Sequence, residues 1–239
     1  MPPLLFRKRI LIHGLEPKGQ EELGVAKRIA GFYARFVGEY PRRKIIANYD
    51  ADGVNVYQAF ATATVRAALE HGTFSKGFSL DRMTWIKPSF GWMLYRCGYA
   101  SKHRQEAVLK IKITHEGFRN ILRQSVETSH NPNIYDSEAG WALTLSKSDV
   151  RHQWDPDRSI TGEKLERRAI QIGIRGETVK SYVHQWIIGL EEVTDLAKAI
   201  APALEGKRHP LPSVPEEIEY PVDEALKLRL GMVHQATVG

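Results

Sequence analysis

The chain reads as an α+β fold: one domain with a mixed or antiparallel central sheet flanked by helices, preceded by a helix and followed by an extended tail. Three observations predict it. Strand-like and helix-like stretches are interspersed along the chain, which favours a layered sheet-and-helix domain. The strand candidates Lys44–Asn48 and Val54–Tyr57 are separated only by a turn, Asp50-Ala-Asp-Gly, which suits a hairpin and leaves no room for a βαβ crossover. Apolar residues are 42% of 239, enough for one substantial core and too many for a disordered chain.

The elements follow in order. Residues 20–38 carry Leu23, Ala26, Ala30, Tyr33 and Val37 on one helical stripe, and Pro41 marks the end of that helix. Residues 1–40 are therefore an N-terminal helical extension. Residues 59–71 are Ala-rich and helical, with Gly72 suited to the position just past a helix end. Met83–Ile86 is a short strand, and Pro88 then stands where the first turn of a helix, Ser89–Tyr95, accepts proline. Ala107–Thr114 alternates and reads as a central strand, with Lys110 and Lys112 on the face opposite Ile111 and Ile113.

Gly117–Val126 is a short helix, and residues 127–149 form a long irregular connection. Val150–Trp154 and Ala169–Ile174 are strands, with Asp155-Pro-Asp a stop signal after the first. Val179, Tyr182, Val183, Trp186 and Ile187 make a helical stripe, and Thr194 caps a last helix running to Leu204. The domain spans 41–206. Residues 207–239 are a Pro-rich tail packed on it.

Several function classes are disfavoured. No apolar run approaches the 18 residues of a membrane span, and the N-terminus lacks the order of a signal peptide. The single cysteine, Cys97, leaves no internal disulfide or cysteine-based zinc site. A soluble, cytoplasmic protein without metal or other cofactor is expected. Gly-x-Gly-x-x-Gly, Walker and Gly-x-Ser-x-Gly motifs are all missing. The net charge of +6 favours a polyanionic partner, nucleic acid first.

The densest chemistry lies in Arg82–Glu106, where two Trp, two Tyr, one Phe and five Lys or Arg share 25 positions. Flat rings with fixed cations suit the wall of a ligand cleft. Lys87 and Ser89 flank Pro88 at a strand-to-helix junction, where a hydroxyl meets free amide donors and a lysine could assist its deprotonation. Arg96, Lys102, His103 and Arg104, interleaved with Trp92, Tyr95 and Tyr99, give cations for phosphates and rings for bases. Gln105-Glu106 sits at a strand mouth, where Glu106 could act as base or grip a cation. Tyr49-Asp50 and Tyr57-Gln58 could face the same cleft. Against each stands the plain alternative of core packing, helix capping or a solvated charge. Cys97 has no His and Asn partners at a recognisable spacing.

The block Arg-Met-Thr-Trp-Ile-Lys-Pro-Ser-Phe, intact from Arg82 to Phe90, resembles the signature of a family catalogued as a domain of unknown function. The resemblance continues in Trp92-Met-Leu-Tyr-Arg, Gln105-Glu-Ala-Val-Leu, Tyr49-Asp, Val56-Tyr-Gln-Ala, Val150-Arg-His-Gln-Trp-Asp-Pro-Asp-Arg and Arg168-Ala-Ile-Gln-Ile-Gly, and covers roughly residues 42–222. Ile46 and Cys97 stand where many members have Arg and Ser. The fungal branch is similar to arginine-containing cyclodipeptide synthases, which use aminoacyl-tRNAs.

That resemblance implies a tRNA-dependent aminoacyltransferase with arginyl-tRNA and a second aminoacyl-tRNA as partners, and needs no cofactor. It implies Lys87, Ser89, Tyr95 and Glu106 as catalytic candidates. Tyr49, Asp50, Tyr57, Gln58, Arg82, Thr84, Trp85, Trp92 and Gln105 are the corresponding substrate-binding candidates, and Arg96, Lys102 and Arg104 would meet tRNA. Two other classes stay open: an ADP-ribosyltransferase-like enzyme using NAD with Glu106 as its acid, and a non-catalytic RNA-binding module.

Overall fold

Two small sheets, one antiparallel and one mixed, meet at a single backbone bridge among the described residues, and that junction positions everything else. The computed structural model describes residues 42–205 and 210–233; the helix expected over 20–38 lies outside them. The first sheet has order β2–β4–β8, from Gly53–Phe60, Ala107–Thr114 and Ile187–Glu192. The second has order β3–β7–β6–β5, from Thr84–Ile86, Lys164–Ile174, Val150–Arg158 and Val126–Glu127, with only β5–β6 parallel. Between them, the Tyr57 N–H donates to Lys87 O at 2.7 Å and the Lys87 N–H to Tyr57 O at 3.2 Å. A third ladder joins β1 (Ile46–Ala47) to β9 (Ile218–Glu219).

Seven α-helices occur among the described residues: α1 Thr62–His71, α2 Phe90–Cys97, α3 His115–Gln124, α4 Glu138–Lys147, α5 Gly176–Ser181, α6 Thr194–Ile200 and α7 Glu224–Arg229. The result is one α+β domain with mixed and antiparallel pairing. No helix among the described residues is long and apolar enough to cross a membrane.

Strand alternation divides the core. On β4, Ala107, Leu109, Ile111 and Ile113 join the larger cluster with Val54 and Val56 of β2, Phe118 and Ile121 of α3 and Tyr182. Val108 and Tyr57 point the other way, into a second cluster with Phe90, Met93 and Leu94 of α2 and Ala197 and Ile200 of α6. Lys110 and Lys112 share the face of Val108 and pair with Glu191 and Asp50 at 2.6 and 2.7 Å.

Helix α2 begins where Ser89 Oγ accepts the Trp92 N–H and Glu217 accepts the Phe90 N–H at 2.7 Å. It stops at Gly98 in the left-handed conformation. Gly91 presses α2 onto the end of β6, since a Cβ there would strike the Arg158 carbonyl.

Several expectations are corrected. Pro88 precedes the N-cap rather than occupying the first turn. The 127–149 connection contains α4, which buries none of its residues and so shows no stripe. Strand β6 runs through Asp155-Pro-Asp to Arg158, and a register shift between Pro156 and Arg158 accommodates the proline. The stripe from Val179 to Ile187 spans α5, a π-helical turn at Tyr182–Trp186 and the start of β8. Thr194 is the first residue of α6 and does not cap it; its hydroxyl accepts the Val108 N–H at 2.9 Å. Beyond the extended 210–217 segment the chain returns to the domain, burying Tyr220, Leu226 and Leu230.

Candidate functional site

The single bridge between the sheets is followed by divergence, and a cleft opens in the fork. Past Tyr57, β2 continues as Gln58-Ala-Phe; across from it stand Thr84 and Trp85 of β3. Only a side-chain bond, Gln58 Nε2 to Thr84 Oγ1 at 2.6 Å, ties the two walls. The space between them is about 630 Å³. Lys87, Gln153 and Gln171 form its floor: β6–β7 register pairs Gln153 with Gln171, and extending the Ile86–Ile172 pair brings Lys87 beside Gln171. Trp85 and Met83 lie over Gly173, where a Cβ would crowd both. Met93 and Arg96 come from α2, Arg104 and Gln105 from the segment entering β4, and Arg82 from the far rim.

The lining is cationic. Arg82, Lys87, Arg96 and Arg104 contribute four positive charges, and no carboxylate among the described residues lines the cleft. Lys87 is 7% exposed, and its ammonium makes one hydrogen bond among the described residues, to the Trp85 carbonyl at 3.3 Å. Burial, with Arg96 adding repulsion, pushes its ammonium down to about 8. A fraction of Lys87 is therefore a free amine near neutral pH, able to take a proton. Asp155 stands two residues along β6 from Gln153, on the same face of the strand, outside the lining. Its Oδ1 accepts from Gln153 at 2.9 Å, while its buried Oδ2 lacks a partner among the described residues. Burial raises its carboxyl above the usual range.

The segment that delivers Arg104 is conformationally unusual. Gly98, Tyr99 and Ala100 all have φ near +60°, as does Arg104. Non-glycine residues there cost on the order of 1 kcal/mol each, and such strain concentrates at functional sites. Arg104 is held by its own N–H donating to Glu106 at 2.7 Å.

Of the sequence candidates, the fork gathers Lys87, Gln58, Arg82, Thr84, Trp85, Gln105, Arg96 and Arg104. It leaves the others elsewhere. Ser89 is 3% exposed, and its hydroxyl donates to the buried Asp157 at 2.9 Å, which in turn holds Arg167 at 2.6 Å. Tyr95 is 42% exposed and lies between Trp92 and the Arg158 guanidinium, with its ring stacked on the former and 4.2 Å from the latter. Glu106 points to solvent, and backbone N–H groups, its own first and then that of Arg104, hold its carboxyl below the usual range, which makes it a poor base.

Tyr49 and Asp50 stand at the hairpin end of β2, where the Lys112 bond lowers the Asp50 carboxyl. Tyr57 is core, packed on Phe90 at 4.9 Å. Trp92 is buried outside the cleft, and Lys102 turns back to Arg96 O at 2.6 Å. Cys97 is buried with its thiol pushed up by desolvation. Of the block's five rings only Trp85 lines the cleft, where Phe60 and Phe78 from outside the block join it among the cations and amides. Gln153 and Gln171 were missed as site residues. Gln171 carried a signal, a lone amide in the otherwise apolar Ala-Ile-Gln-Ile, whereas Gln153 lies among polar residues in Arg-His-Gln-Trp-Asp and carried none.

The fold and cleft define an α+β protein with a basic, amide-floored cleft at a sheet junction. The chain belongs to a family described as a domain of unknown function (DUF4291), whose model matches residues 44–220. No curated protein matches it. Among the described residues no group of three or more His, Cys, Asp or Glu could hold a metal ion.

Proposed function

We propose that the fork cleft receives the 3′ ends of aminoacyl-tRNAs and that the protein is a tRNA-dependent cyclodipeptide synthase with arginine as one unit. The observation that carries this reading is Lys87, a buried, nearly unpartnered amine in a cleft with three arginines and no lining acid. Arg82, Arg96 and Arg104 suit the terminal phosphates, and Gln105, Gln153 and Gln171 suit the polar edges of a nucleotide or aminoacyl group. The aminoacyl ester is already activated, so the chemistry needs proton transfer more than energy input.

In its free-amine form Lys87 accepts a proton from the α-ammonium of one aminoacyl unit. That amine attacks the ester carbonyl of the other; a C–N bond forms, the ester C–O bond breaks, the ribose oxygen leaves with the proton that Lys87 returns, and the attacking nitrogen passes its surplus proton to the Lys87 amine, which sheds it to solvent before the next step. The remaining free amine of the dipeptidyl ester then attacks its own carbonyl in the same way, closing the ring and releasing the second tRNA. Lys87 replaces Ser89, Tyr95 and Glu106 in this scheme, because it alone of the four lines the cleft.

The test is to incubate the protein with tRNA, arginine, partner amino acids and their synthetases, and to seek an Arg-containing diketopiperazine by mass spectrometry. Its appearance, abolished by ribonuclease, is the expected result. Absence of product across all partner amino acids, or consumption of NAD instead, contradicts the reading.

A further inference from the structure

A second basic concavity lies further along the strands that floor the cleft. Where β6 and β7 approach their hairpin end, Arg42, Arg43, Pro156 and residues 164–168 enclose a groove of about 260 Å³. Five cations line it, Arg42, Arg43, Lys164, Arg167 and Arg168, against one acid, Glu166. The register fixes its distance from the cleft. Gln171 pairs with Gln153 on the cleft floor, and Arg168 pairs with Pro156 in the groove. Three residues of strand separate these pairs, about 10 Å along the ladder, and the odd offset turns their side chains to opposite faces of it, so a ligand that reaches both must pass around the sheet edge.

The five cations divide by their bonds. Arg43 binds Glu127 at 2.9 Å, Arg167 binds Asp157 at 2.6 Å, and Arg168 donates to the Trp154 carbonyl. These contacts fix the groove wall; the Arg43 backbone also bridges that of Arg168. Arg42 and Lys164 are exposed, and neither side chain makes a hydrogen bond or ion pair among the described residues. Two uncommitted cations on a rigid basic wall attract an anion from solution.

We propose that this groove binds the phosphodiester backbone of the RNA whose 3′ end occupies the cleft, an inference that rests on the reading of the cleft given above. A single phosphate does not reach across about 10 Å of strand. An anion that engages both concavities is therefore a chain of phosphates. Arg42 and Lys164 supply backbone contacts, which set affinity and register and carry no sequence preference.

The experiment measures binding of an unacylated, 5′-labelled arginine-tRNA transcript to the whole protein by fluorescence anisotropy across a salt series. Wild type binds with affinity that falls as salt rises. The Arg42→Ala/Lys164→Ala protein shows a salt dependence shallower by about two phosphates' worth, and affinity weakened on the order of 30-fold at low salt. If wild type binds RNA and the variant binds as tightly, the groove proposal is overturned while the cleft reading stands. If wild type binds no RNA, both are overturned.

Discussion

Lys87 and Ser89 are separated by one proline and live in opposite circumstances. Lys87 enters the fork, buried, with one weak backbone acceptor and an arginine nearby. Ser89 caps α2, donates to Asp157 and accepts from Trp92, so its hydrogen-bonding capacity is in use. Both are polar, buried and within the same signature block. The difference teaches that burial alone does not mark a reactive group. A structural polar side chain is satisfied by its neighbours, whereas a group kept for chemistry is desolvated and left short of partners, at a cost in stability.

The sharpest way to break this contrast is Lys87→Met. The folded-state ammonium titrates near 8 against an ordinary 10.5. Burial of the charged form therefore costs stability at every pH below about 8, and the cost fades as pH rises from 8 to 10.5. The variant should lose product formation by about 10³-fold. It should also gain about 3 kcal/mol in denaturant unfolding at pH 7, a gain that shrinks towards pH 10.5. A variant that is inactive but destabilised would make Lys87 a structural residue instead.

Arg96→Gln has a smaller and more diagnostic effect. Its charge helps depress Lys87, so removing it lets the lysine rise. The single-turnover rate of wild type should climb with pH and level off near 8; in the variant the plateau moves to higher pH. The rate at pH 7 should fall about two- to threefold, because burial, the larger cause of the shift, remains. An unmoved profile would show that Lys87 is not the titrating group.

Ser89→Ala should leave activity per folded molecule within about threefold. Losing the helix cap and one donor to buried Asp157 should cost about 2 kcal/mol of stability. A large loss of kcat without loss of stability would restore the serine to the chemistry.

Much of the fold was legible because some stretches have one environment per face. Strand β4 is the clearest: Leu109, Ile111 and Ile113 face one core while Lys110 and Lys112 face paired acids, so alternation is clean. Helix α4 was not legible because no residue of it is buried, and without burial there is no stripe to read. Strand β8 was hidden because the π-helical turn at Tyr182–Trp186 prolongs the apolar stripe up to Ile187.

The cleft was half legible. The cations of Arg82–Glu106 flagged it, but which rings face inward depends on the strand-to-helix turn at Pro88, which composition does not report. Gln153 and Gln171 come from strands some 50 to 90 residues away in sequence from the block, and only the β6–β7 register brings them beneath Lys87.

The most direct measurement of the central claim is a photo-crosslinking map with a non-hydrolysable, amide-linked arginyl-tRNA carrying a photoreactive group at the aminoacyl end. The account predicts crosslinks within the fork, on Met83, Trp85 or Met93, abolished by excess unlabelled arginyl-tRNA. Specific crosslinks confined to the Ser89–Asp157 corner, to Tyr95 or to the Asp50 turn would contradict it.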